Sequence, residues 1–301
     1  MKVKKHHQLK NNSATTLSGV RPRGTLFVFF FVSCFPAYAV SLQETTTPKT
    51  FADWCLNKNN LSVETLNTIN ALLQVAKTTD CNQASKLLEA LTELSLDSNQ
   101  IADLKPLSTL TNLTYLSLNN NSIADLRPLS SLTNLTELSL KNNQIADLRP
   151  LSSLTSLTGL SLDNNQIADL RPLSSLTNLT GLYLDNNQIA DLRPLSSLTN
   201  LSYLLLDNNS IADLRPLSTL TNLAGLSLTK NQISDLRPLS SLTNLSYLYL
   251  DNNQIADLRP LSTLTNLSYL YLSNNPTLTD KTCPIKPASI CRFASDLSPS
   301  R

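Results

Sequence analysis

The chain repeats itself every 22 residues over more than half of its length. Eight complete units follow the pattern LxxLxLxxNxIxDLxPLxxLxx, and a ninth, incomplete unit loses the pattern after Pro276. Such a period is the signature of stacked repeats, in which each unit contacts only its neighbours. The units begin at Leu91, Leu113, Leu135, Leu157, Leu179, Leu201, Leu223, Leu245 and Leu267.

Each unit predicts one short strand followed by a compact return path. The alternation of Leu94 and Leu96 around a serine is typical of a strand with one buried face. Ile101, Leu104 and Leu107 then turn inward, and the proline before Leu107 favours a short 3₁₀ turn over a long helix. Because a lone unit would leave its seven apolar positions in water, only stacking can bury them.

Asparagine occupies the ninth position of every unit. A catalytic set of nine identical amides is implausible, whereas an amide just after a buried strand can bond to backbone groups of adjacent turns. Losing such a partner in a buried turn costs about 1–3 kcal/mol. We therefore predict a structural ladder formed by Asn99, Asn121, Asn143, Asn165, Asn187, Asn209, Asn231, Asn253 and Asn275.

These units resemble the 22-residue class of leucine-rich repeat (LRR), and the segment IxDLxPL is similar to that of bacterial internalins. The flanking segments FADWC and KTCPIKPASIC are similar to caps of exported cyanobacterial LRR proteins. The resemblance implies an α/β solenoid: a right-handed superhelix with a parallel concave β-sheet, 3₁₀ or short turns on the convex side and a helical N-terminal cap. We expect this cap at 51–90, repeats at 91–275, and a C-terminal cap and tail at 276–301.

Residues 1–39 are typical of a signal peptide. A basic stretch leads into the apolar run from Thr25 to Phe35, which is about half of the roughly 20 residues that span a bilayer. Ala37 and Ala39 predict cleavage after Ala39, and residues 40–50 then form a linker. We expect a secreted, periplasmic or cell-surface protein without a stable membrane span. Lipidation of Cys34 and a later start codon remain alternatives.

The remaining chain is mildly acidic. Residues 40–301 contain 18 basic and 22 acidic residues, so they lack the positive charge that marks a nucleic-acid-binding protein. We therefore expect no nucleic-acid partner.

Four cysteines remain after the predicted cleavage, in one close pair at each end of the repeats. An even count in an exported protein suggests that Cys55 with Cys81 and Cys283 with Cys291 form disulfides, although four reduced, buried thiols would fit the same spacing. The first pair would join two helices. One runs from an N-cap at Ser62 through Lys77 and buries an apolar face, and the second covers Asn82 to Ala90. The first helix's apolar face would consist of Val63, Leu66, Ile69, Leu72, Leu73 and Ala76.

Large side chains cluster at the strand positions of the later units. Positions three, five, seven and eight face the concave side in such solenoids, and most of them are small here. Tyrosine gives a large contact area at small entropic cost, so this block resembles a binding hot spot. Two other roles stay open, namely cross-strand stabilisation and glycan binding. The predicted ligand-binding residues are Tyr183, Tyr203, Leu205, Tyr247, Tyr249, Tyr269 and Tyr271.

Two charged ladders are interpreted as architecture. The seventh-position aspartates, for example Asp185 and Asp207, predict a solvated acidic edge, since the runs DNNQIAD lack the glycine and glutamate of a calcium loop. The aspartates and arginines of the Asp-Leu-Arg steps predict a charge-balanced, wet ridge rather than a site for an anionic polymer. No nucleophile motif, phosphate loop or histidine outside residues 1–39 is present, so no catalytic residue, metal or cofactor is assigned.

The sequence therefore predicts a non-enzymatic, monomeric scaffold that binds a protein or cell-surface ligand through its concave face. Two alternatives belong to other classes. The first is a carbohydrate-binding envelope protein. The second is a cytosolic regulatory subunit of an enzyme, which would require an uncut N terminus and free thiols.

Overall fold

Residues 48–293 are described by the computed structural model, and within them ten parallel strands form one sheet in sequence order. The predicted signal peptide at 1–39, Cys34 and most of the predicted linker lie outside these residues, as does the tail from residue 294. The strands β1 to β10 are Glu93–Ser95, Tyr115–Ser117, Glu137–Ser139, Gly159–Ser161, Gly181–Tyr183, Tyr203–Leu205, Gly225–Ser227, Tyr247–Tyr249, Tyr269–Tyr271 and Cys291–Arg292.

From β1 to β9 the register places each strand residue opposite the residue 22 positions later, whereas β10 pairs with β9 at an offset of 21. Leu94 pairs with Leu116, and Leu116 pairs with Leu138. Equivalent positions of all units therefore lie in columns that run across the sheet, with neighbouring strands about 4.8 Å apart.

The return path of each complete unit is a five-residue 3₁₀ turn, as the sequence predicts. Each turn begins at the fifteenth position of its unit and has proline as its second residue. Proline is tolerated there because the N–H groups of the first helical residues have no partner within the helix. These turns are Lys105–Thr109, Arg127–Ser131, Arg149–Ser153, Arg171–Ser175, Arg193–Ser197, Arg215–Thr219, Arg237–Ser241 and Arg259–Thr263. Shorter 3₁₀ turns occur at Lys58–Asn60 and Ala288–Ile290.

The core is a column of leucine and isoleucine enclosed between the strands and the 3₁₀ turns. At the seven apolar positions of the eight complete units every side chain except Leu91 is at most 4% exposed. Full burial of such a side chain contributes roughly 1.5–3 kcal/mol to the free energy of folding. Leu91 is less buried because no repeat precedes it.

The ninth-position asparagines join consecutive units through backbone hydrogen bonds. In the fourth unit, Asn165 Nδ2 donates to the carbonyl oxygens of Leu140 and Leu162 at 3.0 Å. Its Oδ1 accepts the Ile145 N–H of the preceding unit at 3.0 Å. The same contacts recur from Asn121 to Asn275. The predicted ladder therefore forms from Asn121 onward, whereas Asn99 Nδ2 donates to the Asp97 carbonyl of its own unit, since no repeat precedes it.

The eighth position has a different task, which the sequence analysis did not identify. All nine of its residues adopt the left-handed backbone conformation, with φ between 54° and 60°. Seven of the nine are asparagine, a residue that tolerates this conformation better than most. Its recurrence at this position is therefore explained by backbone geometry.

The N-terminal cap contains three helices, where two were predicted. They are α1 (Phe51–Leu56), α2 (Val63–Ala76) and α3 (Cys81–Glu89). Helix α1 begins with a capping box, in which Thr50 Oγ1 accepts the Asp53 N–H at 3.2 Å and Asp53 Oδ2 accepts the Thr50 N–H at 2.9 Å. Thr50 lies in the range predicted as a linker. A disulfide joins Cys55 to Cys81 and so fixes α1 against α3.

The predicted buried face of α2 is partly wrong. Val63 is 68% exposed, whereas Thr65 and Thr68 are buried. The two threonines are buried because their hydroxyl groups form hydrogen bonds with the first repeat. Thr68 Oγ1 donates to the Asp103 carbonyl at 2.7 Å, and Thr65 Oγ1 donates to Asp103 Oδ2 at 2.6 Å. The helix therefore faces the first repeat with its threonines as well as with Ile69 and Leu72.

The C-terminal cap closes the other end of the sheet. Strand β10 pairs with β9, and the Leu272 N–H donates to the Arg292 carbonyl at 2.8 Å. Buried Cys291 forms a disulfide with Cys283. Among residues 48–293, no helix has the length and hydropathy needed to cross a membrane.

Candidate binding face

The side of the sheet opposite the core is formed by positions three, five and seven of each unit. We call this surface the open sheet face. Its columns bring side chains from different units together, because equivalent positions pair directly between neighbouring strands. Tyrosine dominates its C-terminal part, and acidic residues dominate the part nearer to the N terminus.

Four tyrosines of β8 and β9 form two stacked pairs. The ring centroids of Tyr247 and Tyr269 are 5.5 Å apart with an interplanar angle of 6°, and those of Tyr249 and Tyr271 are 4.8 Å apart at 9°. Offset or stacked aromatic pairs add about 0.5–1.5 kcal/mol beyond their area burial. We call these four residues the tyrosine platform.

The four tyrosines of the platform differ in exposure. Tyr247 and Tyr269 are 41% and 40% exposed, Tyr249 is half-buried, and Tyr271 is only 4% exposed. Tyr271 is covered because Tyr249 stacks on it and the Arg292 guanidinium lies 5.5 Å from its ring centroid. Only Tyr247 and Tyr269 therefore present much ring surface.

The other predicted residues lie on the same face, two units from the platform for Tyr203 and Leu205 and three units for Tyr183. Tyr203 is 49% exposed, while Tyr183 and Leu205 are half-buried. The Tyr203 ring leans over Gly225, where a Cβ atom would lie only 2.8 Å from its Cδ1. Gly225 occupies the third position between Tyr203 and Tyr247, so the glycine gives Tyr203 room to lean toward the platform.

Three residues of this face were missed by the sequence analysis. Tyr115, at the third position of the second unit, is 41% exposed and could have been found by the same positional rule. Lys141 Nζ lies 3.0 Å from Asp163 Oδ2 and 5.5 Å from the Tyr183 ring centroid. Arg292 lies beyond the last repeat, so no periodicity could assign it to this face.

The seventh-position carboxylates are more than the solvated edge that was predicted. Asp97 Oδ1 accepts the Asn119 N–H at 2.7 Å, and Asp185 Oδ1 accepts the Asp207 N–H at 2.7 Å. Each such carboxylate thus ties its own unit to the next one. Burial raises the pKa of Asp251, although the Ser273 N–H and hydroxyl partly offset the effect.

The Asp-Leu-Arg steps form a ridge of paired charges. Arg193 donates from Nε to Asp191 Oδ1 at 2.9 Å and from Nη2 to Asp191 Oδ2 at 2.7 Å. The guanidinium hydrogen bonds lower the pKa of Asp191, and likewise that of Asp257, to about 2. Both side chains of each pair are open to water, so each pair contributes little to stability.

The remaining chemistry of the described residues is sparse. In residues 48–293, no group of three or more His, Cys, Asp or Glu side chains is placed to hold a metal ion. Carboxylates on both ladders are engaged with backbone N–H groups or with arginine.

The repeats match the family described as Leucine Rich repeats (2 copies). The matched residues are 89–131, 133–175, 155–197, 177–219, 221–263 and 243–282. No curated protein sequence matches the chain with significance.

Solved structures with the same fold include two internalins of Listeria monocytogenes. Internalin C2 is 38% identical over 67% of this chain and 91% of its own, with a TM-score of 0.64. The internalin InlF is 28% identical over 70% of this chain and 79% of its own, with a TM-score of 0.50. The ectodomain of the Arabidopsis thaliana receptor kinase GASSHO1/SCHENGEN3 is 26% identical over 60% of this chain and 24% of its own, with a TM-score of 0.53. The similarity of the end caps to cyanobacterial proteins stays a prediction.

Proposed function

The chain belongs to the leucine-rich-repeat family as an internalin-like protein, and we propose that it is a non-enzymatic scaffold whose open sheet face binds another protein. LRR solenoids typically serve in protein–protein interaction. The observation that carries the proposal is the tyrosine platform, because it combines exposed aromatic area with a rigid frame. Residues of this kind dominate the binding energy of protein interfaces.

Rigidity is what distinguishes this platform from scattered surface tyrosines. Tyr247 and Tyr269 are held at 5.5 Å by their stacking and by the direct pairing of their strands. A ligand therefore meets side chains that lose little further freedom on binding. The plant receptor ectodomain with the same fold was solved in complex with CASPARIAN STRIP INTEGRITY FACTOR 2, which supports the use of such a frame for holding a partner.

Export of the protein is part of this proposal. The signal-like residues 1–39 and the two disulfides at the ends of the repeats fit an oxidising compartment. A cytosolic regulatory subunit would retain residues 1–39 and carry free thiols. Intact-mass spectrometry of the native protein, with and without thiol alkylation, distinguishes the two cases.

The platform can be tested against a tyrosine of equal exposure. We expect the Tyr247→Ala/Tyr269→Ala variant to weaken binding of the native partner at least about tenfold, because it removes the exposed ring area. Tyr115→Ala is the matched control, since Tyr115 is as exposed as Tyr247 but lies on β2, far along the sheet from the platform. Partners are captured from the native cell envelope with each variant, identified, purified and measured by titration calorimetry.

Three results would contradict the proposal. The first is a partner that binds the double variant as tightly as the unmodified protein, and the second is a partner whose binding falls equally with Tyr115→Ala. The third is a glycan-array signal that depends on Tyr247 and Tyr269 in the absence of any protein partner. That result would favour the carbohydrate-binding alternative, for which the flat exposed rings are the supporting feature.

A further inference from the structure

Arg292 differs from the other arginines among residues 48–293. The other seven each form a bidentate ion pair with the aspartate two residues earlier, with Nη2 to Oδ2 distances of 2.7 to 2.8 Å. They are Arg127, Arg149, Arg171, Arg193, Arg215, Arg237 and Arg259. Within the described part of the chain, Arg292 has no carboxylate within ion-pairing distance. Its guanidinium carbon instead lies 5.8 Å from the Tyr269 ring centroid and 5.5 Å from that of Tyr271.

The C-terminal cap places Arg292 at the end of both tyrosine stacks. Cys291 pairs with Leu270 and points into the core, so the next residue along β10 points to the open sheet face, opposite Tyr271. Each stack therefore consists of two tyrosines followed by a shared guanidinium. Arg292 is exposed, and it belongs to the C-terminal cap rather than to a repeat.

A guanidinium in this position can contact two chemical groups at once. Its flat face is attracted by the aromatic rings, while its N–H groups point outward along its edge. That edge fits a carboxylate in a two-bond geometry, as the ridge arginines show with their own aspartates. An apolar or aromatic side chain beside the carboxylate would at the same time rest on Tyr269 and Tyr247.

The charges of the open sheet face restrict an anionic ligand to this end. In the first six units Lys141 is the one basic residue of the face, against six acidic ones: Glu93, Asp97, Glu137, Asp163, Asp185 and Asp207. Asp251, in the eighth unit, is partly buried and accepts the Ser273 N–H at 2.7 Å. A negatively charged segment is repelled from the first six units and attracted to Arg292.

We propose that Arg292 makes the tyrosine platform selective for an acidic segment of the protein partner, in which Asp or Glu adjoins an apolar or aromatic residue. The carboxylate would bind the guanidinium edge, and the apolar neighbour would cover Tyr247 and Tyr269. The inference rests on the proposed function.

Selection from a peptide library displayed on phage tests this specificity directly, because it requires no purified partner. Peptides selected on the unmodified protein are expected to be enriched in Asp or Glu next to apolar or aromatic residues. Selection on Arg292→Gln is expected to lose the acidic preference and keep the apolar one. Arg259→Gln removes a guanidinium from the ridge and serves as the matched control, with an unchanged selection.

The strongest selected peptide then allows a direct measurement. We expect Arg292→Gln to weaken binding of this peptide about tenfold or more. Replacing the peptide's Glu by Gln should have no further effect in that variant, because the bond between the guanidinium and the carboxylate is already absent. An acidic preference that survives in Arg292→Gln would overturn the inference. So would peptides that bind through Tyr247 and Tyr269 without any acidic preference, although the proposed function would then stand.

Two further outcomes separate the inference from the proposed function. If no selected peptide depends on Tyr247 and Tyr269, both fail together. If oligosaccharides rich in uronic acid or sulfate bind in an Arg292-dependent manner and acidic peptides do not, the anion site exists but serves a glycan, and the assignment to a protein segment is wrong. Melting temperatures of all variants are measured alongside, since Arg292 is exposed and its replacement should leave the repeats folded.

Discussion

Asparagine has two separate tasks at adjacent positions of each unit. At the eighth position it accommodates a left-handed backbone, for example at Asn164 with φ of 57°. At the ninth position its side-chain amide forms hydrogen bonds with backbone groups of its own unit and of the preceding unit. Asn165 does so with Leu140, Leu162 and Ile145. The first task tolerates other residues, since serine and lysine also occur at the eighth position, whereas no unit departs from asparagine at the ninth.

Replacing asparagine by serine at two positions should show that an asparagine of the ladder contributes more to stability than one outside it. Asn165→Ser shortens the side chain and leaves buried carbonyls without donors, so the free energy of unfolding should fall by roughly 1–3 kcal/mol. Asn178→Ser is the control, because the equivalent position of the preceding unit is already serine, at Ser156. Its effect should stay within about 0.5 kcal/mol. Urea unfolding followed by circular dichroism measures both, and equal losses would show that the ladder has no special role.

The residues that sequence alone identifies are those whose environment is repeated. The core leucines and the ninth-position asparagines meet the same neighbours in every unit that has a repeat on both sides, so a period of 22 is enough to assign them. Tyr271 has neighbours that no other unit has, namely Tyr249 on one side and Arg292 on the other. Its burial could not be read from the repeat, because Arg292 is brought there by the cap.

Among the elements, the strands and 3₁₀ turns were predicted better than the helices. A strand of three residues is fixed by its paired leucines, and the 3₁₀ turns by their prolines. Helix α1 was missed because its signal is one capping box, formed by Thr50 and Asp53, on a segment of six residues. The buried side of α2 was misjudged since Thr65 and Thr68 reach Asp103 through hydroxyl groups, and apolar periodicity does not register such contacts.

The C-terminal disulfide should control the binding platform through β10. Cys283 and Cys291 close a loop with a sequence separation of 8. For a loop of this length the chain-entropy model gives a stabilisation of about 2.5 kcal/mol. In Cys283→Ser/Cys291→Ser we expect β10 to separate more often from β9. Hydrogen exchange at the Leu272 amide, which donates to the Arg292 carbonyl at 2.8 Å, should accelerate, and platform-dependent binding should weaken.

The N-terminal disulfide supplies the control for that prediction. Cys55→Ser/Cys81→Ser loosens α1 and α3 at the opposite end of the sheet, so platform-dependent binding and Leu272 exchange should stay unchanged. Equal weakening by both variants would mean that loss of either disulfide acts through general instability. Unchanged exchange at Leu272 in the C-terminal variant would show that β10 is held by its packing alone.

At the scale of the whole repeat array, most side-chain contacts between units join direct neighbours, although Lys141 Nζ also lies 5.5 Å from the Tyr183 ring centroid two units away. The asparagine ladder, the strand pairing and the seventh-position carboxylates all join one unit to the next. In such an array stability is approximately a sum of unit terms and nearest-neighbour terms. Removal of one unit should therefore be tolerated wherever the two new neighbours fit each other.

The fourth unit meets this condition. Deleting residues 157–178 joins Ser156 to Leu179 and replaces Gly159 by Gly181 and Asp163 by Asp185 as neighbours of the third unit. The Glu137 carboxylate occupies the space that a Cβ of Gly159 would fill; Gly181 also lacks a Cβ, but the Tyr183 ring, which replaces Ser161, lies 3.2 to 3.5 Å from that position. Lys141, now 3.0 Å from Asp163, would meet Asp185 instead.

We therefore expect the shortened protein to unfold in a single cooperative transition at a somewhat lower temperature and to keep its platform-dependent binding. Deleting residues 157–167 removes half a unit, so it shifts the strand leucines out of register with the core and should abolish the transition. Scanning calorimetry compares the two deletions. Loss of folding in the 157–178 deletion would contradict the nearest-neighbour account of the array.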